Sequence, residues 1–153
     1  MWQKSICVLA ALAGWESLAA ADISGLSVTP GRWESTSEII ISVVGEDGVE
    51  TELETRTEIS QSCITPQDHV LDAVELAGPG CSVSDIWVSE PDMSFVLVCR
   101  RSEMTFYGTM VASAGEEGRT TMGRMTLKGR HDDGSELHIR ADMTGAHTGP
   151  CVG

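Results

Sequence analysis

The chain has 153 residues, with 23 Asp and Glu against 10 Lys and Arg and a formal net charge of −13. That length supports a single domain, and the charge excludes nucleic acid as a partner, because neutralising phosphates takes clustered Lys and Arg. Beyond its first residues the sequence has no apolar run near the roughly 20 residues that span a bilayer.

The first predicted element is a leader. Lys4 supplies a positive start, Ile6 to Trp15 an apolar stretch that Glu16 ends, and Ala19-Ala20-Ala21 a small-residue cleavage site. Residues 1–21 are therefore expected to be a cleavable signal peptide, and residues 22–153 a single disulfide-stabilised β domain. Cys7 leaves with the leader, so Cys63, Cys81, Cys99 and Cys151 remain. Four cysteines in a short exported chain read as two disulfides. The expected location is the periplasm, with secretion as the alternative.

From residue 31 the dominant signal is alternation. Trp33, Ile39, Ile41 and Val43 share one face of a strand over residues 31–44, and Gly45-Glu46-Asp47-Gly48 is a turn. Over residues 49–63, Val49, Leu53, Thr55, Thr57, Ile59 and Cys63 alternate with Glu50, Glu52, Glu54, Arg56 and Glu58. The two runs make a long hairpin. Thr65-Pro66 predicts a short helix capped by Thr65 and running to about Leu76, with Val70, Leu71, Val74 and Leu76 on its apolar stripe. Further strands follow at residues 81–88, 93–101, 104–113, 121–128 and 135–144, the last two joined at Asp132-Asp133-Gly134. Seven strands and one short helix define an all-β antiparallel meander. Such a meander curls into a curved sheet or an open, lipocalin-like barrel; a two-sheet β-sandwich is the alternative.

A hairpin turn at Ser89 to Asp92 brings Cys81 and Cys99 to facing positions on neighbouring strands, within disulfide reach. Cys63 is then left to pair with Cys151. The cysteine spacings of 18, 18 and 52 residues fit neither C-x-x-C redox chemistry nor a zinc site.

Five segments in order carry a resemblance: Thr29-Pro30-Gly31-Arg32-Trp33-Glu34, Gln61-Ser62-Cys63-Ile64-Thr65-Pro66, Pro79-Gly80-Cys81-Ser82-Val83, the strand ending at Cys99, and Gly149-Pro150-Cys151. This set resembles the bacterial envelope proteins catalogued as domain of unknown function 3617. Arg32 departs from the pattern, standing where an apolar residue such as Leu is common. The resemblance implies export to the periplasm of a Gram-negative cell and no particular enzymatic mechanism.

No residue pattern points to catalysis. His69, His131, His138 and His147 form no metal-ligand pair, and no nucleophile motif or phosphate loop is present. Neither a cofactor nor a metal is expected. The row Glu50, Glu52, Glu54 and Glu58 lies along one strand face and diverges too far for calcium, so it reads as a solvated surface. Trp33, Ile39, Met104, Phe106 and Met110 are candidates for the lining of a ligand cavity or for simple core filling. The expected function is a non-enzymatic binding or interaction module for an apolar small molecule, lipid or envelope peptide. A structural or stress-related envelope protein without ligand is the alternative, followed by a small secreted hydrolase or metal-dependent enzyme.

Overall fold

Residues 25–152 are described by a computed structural model; the expected leader lies outside them. Alternation produces strands where the sequence places them: β2 (Gly31–Val44), β3 (Glu50–Ile64), β5 (Cys81–Ser89), β6 (Asp92–Arg101), β7 (Met104–Ala114), β8 (Thr120–Arg130) and β9 (Glu136–Gly149). Two three-residue strands add to these, β1 (Gly25–Ser27) and β4 (Val70–Asp72), together with a single helical turn, α1 (Ala73–Ala77). The seven long strands form one antiparallel sheet in the order β3-β2-β9-β8-β7-β6-β5, while β1 and β4 pair in a ribbon of their own. A single curved sheet, open between β3 and β5, is thus the architecture, and the sandwich arrangement is not adopted.

The hairpin of β2 and β3 joins the β5–β9 meander through β2, which lies against β9 with Trp33 opposite His147 and Ile41 opposite Ile139. β9 reaches Gly149, five residues beyond the expected end, because β2 supplies it with a second partner over its whole length. Alternating directions across the sheet leave its two edges, β3 and β5, running the same way. Their link must then return along the strands, as parallel neighbours require. Residues 65–80 make that crossover and carry β4 and α1.

The helix differs from expectation. Instead of starting at Thr65 it starts after Asp72, whose carboxylate accepts from the Glu75 amide at 2.8 Å while Glu75 accepts from the Asp72 amide at 3.2 Å. This reciprocal capping box is a stronger start signal than Thr65-Pro66. Val70 and Leu71, assigned to the helix stripe, instead pair with Ser27 and Leu26 of β1. Thr65 is used in a turn, where its hydroxyl donates to Asp68 at 2.6 Å.

The core lies on the concave face of β6, β7 and β8. Met93, Phe95, Leu97 and Cys99 of β6 are buried in strict alternation, and they meet Phe106, Met110 and Ala112 of β7 and Leu127 of β8. Leu26 of β1 and Ala73 of α1 close over this cluster. The cysteines are bonded as Cys81–Cys99 and Cys63–Cys151. Cys81 and Cys99 are direct register partners across β5 and β6, and the second bridge fastens the end of β3 to the C-terminal segment.

A β-bulge changes the geometry of β3. Ile41 pairs with Glu54 and Ser42 with Glu52, so Leu53 is the extra residue. The acidic row expected on one face is therefore split. Glu54, Arg56 and Glu58 share the concave side with Ile39 and Ile41, whereas Glu50 and Glu52 turn to the outer side. Ion pairs fit this division: Arg56 reaches Glu54 at 3.2 Å and Glu58 at 3.0 Å.

Candidate functional site

Beneath the crossover, the concave face holds a cavity of about 290 Å³. Trp33 of β2, Ile64 of β3, Met110 and Ala112 of β7, Gly123 of β8 and Met143 of β9 form its sheet side. Val28, Leu71 and Leu76 form its cover. Five hydroxyl-bearing residues, Ser35, Ser37, Ser62, Thr121 and Thr144, interrupt the apolar lining. Such an arrangement can take an apolar body and offer hydrogen bonds to one polar end. Gly123 keeps the floor low: a Cβ there would lie 3.5 Å from the terminal methyls of Met110 and Met143.

Trp33 anchors one end of the cavity. Its indole N–H donates to the Thr29 carbonyl at 2.9 Å, and its ring meets the His147 ring edge-on at a centroid distance of 6.1 Å. Gly31, two residues earlier, has φ +141°, and a Cβ there would strike the His147 imidazole. The P-G-x-W spacing thus has a local cause. A backbone conformation open only to glycine lets β2 enter beside β9 with the indole turned inward.

Of the residues singled out from sequence, Trp33 and Met110 line the cavity. Phe106 is buried in the core, and Met104 packs against that core farther along β7. Ile39 is half-buried on the concave face of β2. Neither Ile39, Met104 nor Phe106 is among the cavity's walls. Sequence reasoning passed over the hydroxyls, although Ser35 and Ser37 stand in register with Trp33 and Ile39 and are readable by the same period of two. Leu71 and Leu76 were visible as apolar positions but not as a cover, since that depends on where the crossover runs.

A larger but more open depression of about 660 Å³ lies on the outer face. Trp87, Val111 and Met122 border it, and the Arg124–Asp142 ion pair sits among them. Its walls are solvent-exposed side chains, Met122 at 64% and Trp87 at 56%, so it encloses a ligand less well than the covered cavity.

A dense charged group lies on the outer side near the β2–β3 turn. His138 has Glu136 at 3.2 Å from Nε2 and Glu50 at 3.6 Å from Nδ1. The buried Ser42 hydroxyl donates to Glu50, and Arg130 reaches Glu136 at 2.9 Å. These contacts hold both carboxyls below the ordinary range, Glu50 chiefly through Ser42 and Glu136 chiefly through Arg130. Among the described residues no group of three or more His, Cys, Asp and Glu side chains is disposed to hold a metal ion. His69 contacts the Pro66 carbonyl in the crossover and His147 packs on Trp33, so these histidines sit in separate environments.

No curated protein and no solved structure matches the chain. A family model does match, over residues 28–151, a span that takes in the Pro30-Gly31-Arg32-Trp33-Glu34 entry, the crossover and all four bonded cysteines. On that match the chain belongs to the family described as protein of unknown function (DUF3617).

Proposed function

We propose that this protein is an exported, periplasmic, non-enzymatic binding module whose concave cavity takes a small apolar molecule or the end of a lipid chain. The observation that carries this reading is the covered cavity between Trp33, Met110, Met143, Leu71 and Leu76. At about 290 Å³ it stands at the lower end of the roughly 300–1,000 Å³ typical of ligand pockets, which suits a slender guest. Two disulfides in so short a chain support export, because such bonds persist outside the reducing cytosol. Separated histidines and the absence of a nucleophile motif support a binding role over a hydrolytic one.

The test is native mass spectrometry of protein purified from periplasm, alongside uptake of a fluorescent fatty-acid analogue by the delipidated protein. Gly123→Leu places a side chain between Met110 and Met143 and should abolish both the co-purifying mass and the uptake while leaving the circular dichroism spectrum unchanged. Undiminished uptake by a folded Gly123→Leu variant would overturn the assignment of the site. Ligand-free protein that takes up no analogue would favour a structural envelope role instead.

A further inference from the structure

One row of inward-facing residues crosses the sheet almost without bulk. Thr121 of β8, Gly145 of β9 and Ser35 of β2 are direct register partners, and Ser60 of β3 extends the row to the edge. Gly145 is buried and has no side chain, so the row is lowest at its middle. A Cβ at that position would lie 2.5 Å from Thr121 Oγ1, 3.4 Å from Ser35 Oγ and 3.5 Å from the Trp33 ring. Thr121, Ser35 and Trp33 all line the cavity. Two hydroxyls and an indole edge therefore converge on the small notch that a side chain at position 145 would take.

The notch is polar but uncharged. None of the described residues lining the cavity is ionisable. Glu58 stands opposite Ser37 on β3, but it is exposed and paired with Arg56 at 3.0 Å. An ionised group taken into such a site would lose its hydration and gain no counter-charge, whereas a neutral polar group would exchange water for the hydroxyls. A serine or threonine hydroxyl both donates and accepts, so the pair suits a hydroxyl or a carbonyl oxygen. The chain's net charge of −13 adds a bias against anions.

We propose that the cavity selects apolar ligands whose polar group is uncharged, a long-chain alcohol, ester or amide, with its oxygen held by Ser35 and Thr121 over Gly145. The inference rests on the cavity being a ligand site, and it names the class of guest. The apolar part of the guest then packs against Met110, Met143, Leu71 and Leu76. A fatty acid can enter only tail first, with its carboxylate left in water and the two hydroxyls unused. Ser35 and Thr121 thus determine specificity, while the apolar walls supply general affinity.

The experiment uses the folded, oxidised, delipidated protein, titrated at neutral pH with decanol, with decanoate and with naphthalene, which has no polar group. Decanol should bind about tenfold more tightly than decanoate, since only the alcohol gains the two neutral hydrogen bonds. Ser35→Ala with Thr121→Val should weaken decanol about tenfold and leave decanoate and naphthalene unchanged, so that the discrimination vanishes. Unchanged naphthalene binding also shows that the variant cavity is intact. Discrimination that survives the double substitution would come from net charge alone and overturn the proposal. Wild-type protein that binds decanoate as tightly as decanol would overturn it too. Both of those results leave the cavity standing as a ligand site. Failure of decanol and naphthalene alike would remove the ligand site itself, and the selectivity with it.

Discussion

β6 and β3 both read as strands in the sequence, β6 as a continuous apolar run from Phe95 to Cys99 and β3 as an alternation with charged residues, and they meet opposite fates. β6 lies between β5 and β7 under the crossover, and Met93, Phe95, Leu97 and Cys99 are buried in turn. β3 stands at the edge and has no buried residue in fifteen. A period of two therefore reports a strand without reporting burial. Burial depends on what lies on either side and above, and only the strand order settles that.

The contrast sets the scale of perturbations. The largest effect is expected where β3, lacking a core of its own, is held by a covalent tie. Cys63→Ser with Cys151→Ser removes a bridge spanning 88 residues and should cost about 4.5 kcal/mol by chain entropy, read as a fall in the urea midpoint. Against a net stability of roughly 5–15 kcal/mol, that loss can decide whether the domain folds.

Leu97→Ala comes next. Leu97 is fully buried (0% exposed), and truncating it should cost about 3 kcal/mol as transfer and cavity contributions add. Ile59→Ala on β3, at a residue 69% exposed, should stay within about 0.5 kcal/mol of wild type. Equal losses at the two positions would show that β3 is covered in solution.

The smallest effect is electrostatic. Glu50 and Glu136 titrate below the ordinary carboxylate range in the folded protein. Their contribution is fully present above the unfolded carboxylate pKa and is lost as pH falls through the lowered folded values. Glu50→Gln should therefore lose a little stability at neutral pH and show a shallower decline on acidification, measured by thermal melts between neutral pH and pH 3. A decline as steep as wild type would mean that Ser42 and His138 do not favour the Glu50 carboxylate.

Much of the fold was legible because its causes are local. Alternation marked each long strand, Asp132-Asp133-Gly134 marked a turn, and the Ser89–Asp92 turn alone was enough to oppose Cys81 and Cys99. The misplaced helix shows local signals competing: the Asp72–Glu75 box outweighed Thr65-Pro66, and β1, only three residues long, drew Val70 and Leu71 into a ribbon. Only a small part of the candidate site was readable in the same way, Trp33 from its spacing and Met110 from its alternation. Val28, Leu71 and Leu76 were not, since they come together only when the crossover is laid over the sheet.

By itself, the sequence determined the strands, the cysteine pairing through a short hairpin, and the acidity of the chain. Each follows from neighbours a few residues apart or from simple composition. Tertiary structure alone decided that β9 returns to β2, that the opening falls between β3 and β5, and that one extra residue at Leu53 divides the acidic row between two faces. The reason is physical. A strand's side chains alternate whatever lies beside it, but edge, cover and cavity exist only after distant segments have met.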